Sequence, residues 1–186
     1  MNFFNDYIIE LKRAIDTIDQ KKLLKIINSI VDVKAKNKFV YLIGNGGSAA
    51  TPSHSAGDWT KELKIKTIAL TDNASSITAF GNDTSYENIF KGQLETFLEE
   101  GDILIGYSGS GNSPNVIEAV LYAKQKGCKT IGITGDYKNG KGGRLASISD
   151  ISLCVETTSM EIIEDVHLII NHMIKEYIKE THKVSF

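Results

Sequence analysis

The chain has 186 residues, a formal net charge of −2 and 24% charged residues of both signs. That length gives one domain, spanning 1–186, with room for a sizeable core. The charge leaves neither the footprint of a nucleic-acid binder nor a polybasic membrane patch.

Residues 3–33 carry Tyr7, Leu11, Ile15 and Ile18, then Leu23, Ile27 and Ile30, at helical spacing. This predicts one long helix, or two broken near Asp19. The first six residues lack the basic start and apolar core of a signal peptide. Apolar runs at 38–43, 66–71, 103–107, 129–133 and 151–155 read as strands. Continuous apolar runs bounded by turn residues suit parallel strands buried on both faces. Helical patterns lie near 49–63, 85–98 and 114–126, and 138–143 reads as a loop. A last helix of about 20 residues starts near Ser159, a capping residue. Strands alternating with helices predict an α/β, three-layer sandwich with a parallel five-stranded sheet. No apolar run approaches the roughly 18–20 residues of a membrane span. Cys128 and Cys154 lie in or beside apolar segments, as reduced core thiols of a cytoplasmic protein do.

The last helix carries Leu168, Ile169, Ile170, Met173, Ile174 and Tyr177 around more than one face. A surface helix of a monomer seldom needs that. Burial in a large monomer is one explanation, and packing against a partner subunit is the other.

Two glycine-serine loops follow strand-like runs and precede helical patterns. The first is Gly44-Asn45-Gly46-Gly47-Ser48; the second is Ser108-Gly109-Ser110-Gly111-Asn112-Ser113. Loops at the carboxyl ends of parallel strands are where α/β sheets bind ligands. Glycine lets the backbone approach an anion, and the helix start offers unpaired N–H groups. The pair suits a phosphorylated small molecule. The first loop also fits a loose dinucleotide fingerprint, Gly44-x-Gly46-x-x-Ala49, with Asp72 after the next strand. A dinucleotide site, however, gives no role to the serines of the second loop.

His54 and Asp58 stand four residues apart, on one helix face. The last helix carries Glu164, Asp165, His167 and His172. Helical geometry puts Asp165 and His172 nearly in line, with Glu164 about 80° round the same side. Two histidines with two carboxylates bind zinc, iron or manganese. The alternative is a set of satisfied polar positions at a subunit contact.

Together, Gly44-Asn45-Gly46-Gly47-Ser48-Ala49-Ala50-x-x-x-His54, Gly81-Asn82-Asp83, Ser108-x-Ser110-Gly111-Asn112-Ser113 and Glu164-Asp165-x-His167 resemble the sugar isomerase (SIS) superfamily. More narrowly, they resemble its phosphoheptose isomerases, which convert sedoheptulose 7-phosphate to D-glycero-D-manno-heptose 7-phosphate. The resemblance implies a flavodoxin-like SIS fold. It implies a homotetramer built around a bundle of the long terminal helices, with active sites between subunits. It implies a phosphate site at Ser108, Gly109, Ser110 and Ser113, and sugar contacts at Asn45, Gly46, Gly47, Ser48 and Asp83. His54, Asp58, Glu164 and His172 match the ligands of one divalent metal per subunit, zinc foremost. Glu164 also falls beside the substrate. Asp58 and His172 match the base and acid of an aldose–ketose isomerisation through an enediol.

The chain departs from the family pattern at several positions. Asp58 replaces a glutamate and reaches about 1.5 Å less far. Glu164 replaces a neutral glutamine, and Gly109 replaces a hydroxyl residue. Ala49 stands where some members have histidine, and Glu62 where the family carries a basic residue. The superfamily also holds non-catalytic sugar-phosphate sensors and a branch that binds the replication initiator. That branch lacks the second C-terminal histidine, so His172 favours an enzyme.

Overall fold

The computed structural model describes residues 2–182. The N-terminal pattern forms two helices, α1 (Phe3–Asp16) and α2 (Gln20–Ala35). The break falls at Asp19, whose carboxylate accepts from the Lys22 N–H at 3.0 Å and caps α2.

Five strands follow: β1 (Val40–Ile43), β2 (Thr67–Ala69), β3 (Ile103–Ser108), β4 (Lys129–Gly135) and β5 (Ile151–Val155). They form one sheet, all parallel, in the order β2-β1-β3-β4-β5. Val40 pairs with both Thr67 and Ile103, so β1 sits between the first strand on either side. Strand side chains alternate between two layers. Val40, Leu42, Ile103, Ile105 and Tyr107 face a core that includes Ile26, Ile30, Trp59, Val166 and Ile170. Tyr41, Ile43 and Leu104 face a second core with Phe90, Leu94, Val116 and Val120. This is why the strands read as unbroken apolar runs.

The crossovers are α3 (Gly47–Asp58), α4 (Ala74–Asp83), α5 (Lys91–Phe97), α6 (Pro114–Gln125) and α7 (Gly143–Ile148); α8 (Met160–His182) closes the chain. The helix expected over 49–63 ends at Asp58 and widens into a π turn, Trp59–Leu63. Lys64, at a φ of 54°, stops it. The helix expected over 85–98 is split into a 3₁₀ turn, Tyr86–Asn88, and α5. The sequence reading missed α4, where no residue is fully buried, and the short α7. Cys128 and Cys154 are free thiols, the first buried and the second partly so. No helix among the described residues is long and apolar enough to cross a membrane.

The order 2-1-3-4-5 has its switch point between β1 and β3, where crossovers leave to opposite faces. The carboxyl ends of these two strands carry the two glycine-serine loops.

Candidate active site at the β1–β3 switch point

The first loop is shaped by its glycines. Gly46 adopts φ 56°, ψ −127°, which only glycine takes up readily, and it caps α3. Pro52 within α3 has no N–H for the Ser48 carbonyl. That carbonyl approaches Gly44 so closely that a Cβ there would collide with it. At Gly47 the Glu164 carboxylate occupies the space a Cβ would need, so any side chain there would push Glu164 aside.

The second loop is drawn tight by its own hydrogen bonds. The Gly111 N–H donates to Ser108 Oγ at 3.1 Å, and the Asn112 N–H to Ser110 Oγ at 3.2 Å. Ser108 Oγ lies 3.2 Å from Ser113 Oγ. Ser113 is the N-cap of α6 yet makes no capping bond with its side chain, so its hydroxyl stays with Ser108. Pro114 opens α6 at the position where a missing N–H costs nothing.

The two loops are fastened to each other. Asn45 Nδ2 donates to Asn115 Oδ1 and Asn115 Nδ2 to Asn45 Oδ1, both at 2.9 Å. The Tyr86 hydroxyl adds a bond to Asn45 Oδ1 at 3.2 Å. Asn115 is 1% exposed, and sequence reading missed it. Its place two residues after Ser113 was the available signal.

Between the loops lies a cavity of about 170 Å³ lined by Asn45, Ser48, Ser108, Ser110 and Ser113, with Met160 and Glu164 of α8 across from them. Gly109 also lines it, and its lack of a side chain has a local cause: a Cβ there would overlap the Met160 sulfur. Burial, then the charges of Glu161 and Asp165, push the Glu164 pKa up. Asp83 does not reach this cavity. It is exposed at the end of α4, where Asn82 Nδ2 donates to it at 2.7 Å. Asp72 is exposed as well and lines no part of the cavity, and the strand order is not the 3-2-1-4-5 of dinucleotide-binding folds.

Further along α3 and α8 a second group assembles. His54 Nε2 lies 3.0 Å from His172 Nε2 and 3.4 Å from Asp58 Oδ2, and His172 Nε2 lies 3.9 Å from the same oxygen. Donors about 2.0–2.1 Å from a tetrahedral ion stand about 3.3 Å apart. Two imidazole nitrogens and a carboxylate oxygen at these separations fit a divalent ion in both chemistry and spacing. Glu164 is not part of this group. It precedes His172 by eight residues (172 − 164), about 12 Å along a helix, and its carboxylate sits over Gly47 instead.

Lys175 is the residue that sequence reading overlooked here. Its Nζ lies 3.0 Å from Asp58 Oδ2 and 3.4 Å from Glu62 Oε1, while Lys179 holds Glu62 Oε2 at 3.0 Å. Burial pulls the Lys175 pKa down, but the hydrogen bond and charge of Asp58 and the charge of Glu62 leave it raised. The Lys179 hydrogen bond, aided by the charge of Lys175, holds Glu62 below the usual carboxylate range despite its desolvation. Position 62 therefore carries a carboxylate paired with two cations of α8. The signal was the run His172, Lys175, Lys179, one face of α8 at helical spacing.

The remaining polar residues of α8 point elsewhere. Asp165 accepts from the Tyr7 hydroxyl at 2.6 Å, which raises that phenol to about 12. His167 is fully buried, and its Nε2–H donates to the Thr134 carbonyl at 3.2 Å. Burial lowers its pKa to about 4, so it is a neutral structural histidine.

Fold and loops together define a doubly wound α/β protein with a polar, serine-lined cavity at its switch point. The family model for the SIS domain matches residues 3–135. The probable phosphoheptose isomerase of Thermoplasma acidophilum is 39% identical over 179 residues, covering 94% of this chain and 96% of that protein. The phosphoheptose isomerase of Aliarcobacter butzleri is 38% identical over 173 residues, covering 90% and 89%. Among solved structures, phosphoheptose isomerase GmhA from Neisseria gonorrhoeae superposes with a TM-score of 0.89 at 29% identity, over 96% of this chain and 97% of that one. The chain belongs to the SIS domain family and, within it, to the phosphoheptose isomerases, and it is an isomerase.

Proposed function

We propose that this isomerase interconverts sedoheptulose 7-phosphate and D-glycero-D-manno-heptose 7-phosphate, with its phosphate end between the loops and its reacting end at His54, Asp58 and His172. One spacing carries the reading. Ser48 and His54 are six residues apart on α3 (54 − 48), about 9 Å along a helix, and Glu164 and His172 are about 12 Å apart on α8. An extended seven-carbon chain ending in a phosphate covers about 10 Å, at roughly 1.2 Å per bond. The Ser48 and Glu164 wall of the cavity thus stands about one substrate length along the two helices from the histidines, which supports this reading.

Ser108, Ser110 and Ser113, at the positive end of the α6 dipole, bind the phosphate. Asn45 and Ser48 hold sugar hydroxyls. Binding at this remote end positions the reacting carbons. Asp58 carries the proton between C1 and C2, and His172 carries the proton to and from the adjacent oxygens. A divalent ion, zinc foremost, held by His54, Asp58 and His172 would supply Lewis acidity toward the sugar carbonyl.

The same reading makes the molecule a cytoplasmic homotetramer, with one SIS domain over 1–186 and one ion per subunit. Exposed Phe3, Phe4, Ile8 and Ile9 on α1, with Met173 and Tyr177 on α8, support an apolar interface.

Purified protein is incubated with sedoheptulose 7-phosphate, and the aldose product is quantified before and after chelation and after re-addition of zinc, manganese or iron(II) singly. We expect turnover that chelator abolishes and one ion restores. No turnover under any condition overturns the substrate; turnover that chelator leaves untouched overturns the metal.

A further inference from the structure

We propose that Lys175 is the resident counter-ion of Asp58 and competes with a divalent ion for that carboxylate. The proposal rests on His54, Asp58 and His172 being the metal group.

A single oxygen, Asp58 Oδ2, faces three nitrogens: His54 Nε2 at 3.4 Å, His172 Nε2 at 3.9 Å and Lys175 Nζ at 3.0 Å. Of these, the lysine brings a compact ammonium charge. The Lys175 and Asp58 side chains are 13% and 17% exposed, so solvent screens their interaction little.

Lys175 is also held from behind. Glu62 Oε1 is 3.4 Å from its Nζ and Glu176 Oε1 is 3.8 Å away. Glu62, in the π turn, follows Asp58 by four residues, and Lys179 follows Lys175 by one helical turn, so both carboxylates face the two lysines of α8. Glu176 also meets Lys179 at 3.3 Å, so three carboxylates hold the two lysines before any ion arrives. An ion that takes up Asp58 Oδ2 must either share it with an ammonium or displace Lys175 wholly onto Glu62. Either course weakens binding, and the ion becomes exchangeable. Between visits, Lys175 keeps Asp58 aimed at the two histidines.

The test is calorimetric titration of zinc into chelator-stripped wild type, Lys175→Met, Glu62→Gln and His54→Ala, with a thermal melt on each. Lys175→Met should bind zinc about tenfold or more tightly than wild type, because it removes one charge repelling the ion. Glu62→Gln should bind it about threefold or more weakly, because Lys175 then bears more fully on Asp58. A merely structural role would not move affinity in opposite directions. Lys175→Met binding no more tightly than wild type, or Glu62→Gln binding more tightly, overturns the competition. Should Lys175→Met fail to fold, the sign in Glu62→Gln decides alone. Zinc binding that His54→Ala abolishes but neither charge variant alters refutes the competition and leaves the metal group standing. No binding by wild type or Lys175→Met refutes both.

Discussion

Asn45 and Asn115 exchange paired amide hydrogen bonds across the gap between the two ligand loops, and each is the other's donor and acceptor. Asn115 Oδ1 also accepts from the Val116 N–H at 2.9 Å, so the pair is anchored to the first turn of α6. Replacing one partner strands the other. Asn115→Leu should lower stability by about 1–3 kcal/mol in urea unfolding, and should raise KM because Asn45 is released. Asn45→Ala combined with Asn115→Ala should cost less than the sum of the single changes, since both remove one interaction. Additive losses would show that the loops are held independently.

The hydroxyl of Ser113 has no capping duty and stays beside Ser108. Ser113→Ala should therefore affect the phosphate before it affects the helix. Loss of one charge-assisted hydrogen bond, about 1.5–3 kcal/mol, corresponds to a KM rise of about tenfold or more, with kcat changed less. An unaltered KM for the phosphorylated sugar would take this hydroxyl out of the cradle.

His167 makes stability depend on pH in a definite direction. Its pKa is about 4 in the folded chain against 6.5 ordinarily. Between these values the unfolded chain takes up a proton that the folded chain refuses. Stability is therefore fully present above about pH 6.5 and falls as the pH drops toward 4. From pH 7 to pH 5 this group alone should remove about 2 kcal/mol. His167→Gln should flatten that slope, and urea midpoints at the two pH values give the comparison. A slope identical in the variant would refute the assignment.

Phe3 and Phe4 are 69% and 76% exposed on α1, an unusual load of aromatic surface for one chain in water. Light scattering should report about four times the 20.4 kDa chain mass, and Phe4→Asp with Ile9→Asp should lower it. A monomer at micromolar concentration would defeat the tetramer.

How much of this could be read from the chain varied with the range of the interactions involved. Strands β1, β3 and β4 were legible because both faces are buried, which leaves a continuous apolar run; the edge strands β2 and β5 are apolar though partly exposed. The helix boundaries were legible where a local cap sets them, as at Asp19. Helix α4 was not: Ala-Ser-Ser-Ile-Thr-Ala-Phe-Gly-Asn-Asp has no buried stripe, and Asn73 Oδ1, accepting from the Ser76 N–H at 3.1 Å, starts it. His54, Asp58 and His172 converge as their spacings allowed. Glu164 does not: it shares a side of α8 with His172, but eight residues of helical rise, about 12 Å, separate them. Lys175 and Asn115 escaped notice because their partners, 117 and 70 residues away, are set by packing alone.

The pairing of Val40 with Ile103 joins residues 63 positions apart (103 − 40). Such distant contacts form slowly, since the chain between them must be gathered first. All of β2, α3, α4 and α5 lies within that span. The pocket is complete only when β1, β3 and α8 have come together, and no fragment ending before α8 can contain all of it. Recovery of sugar-phosphate binding after dilution from denaturant is thus a clock for whole-chain folding, while helix content recovers ahead of it.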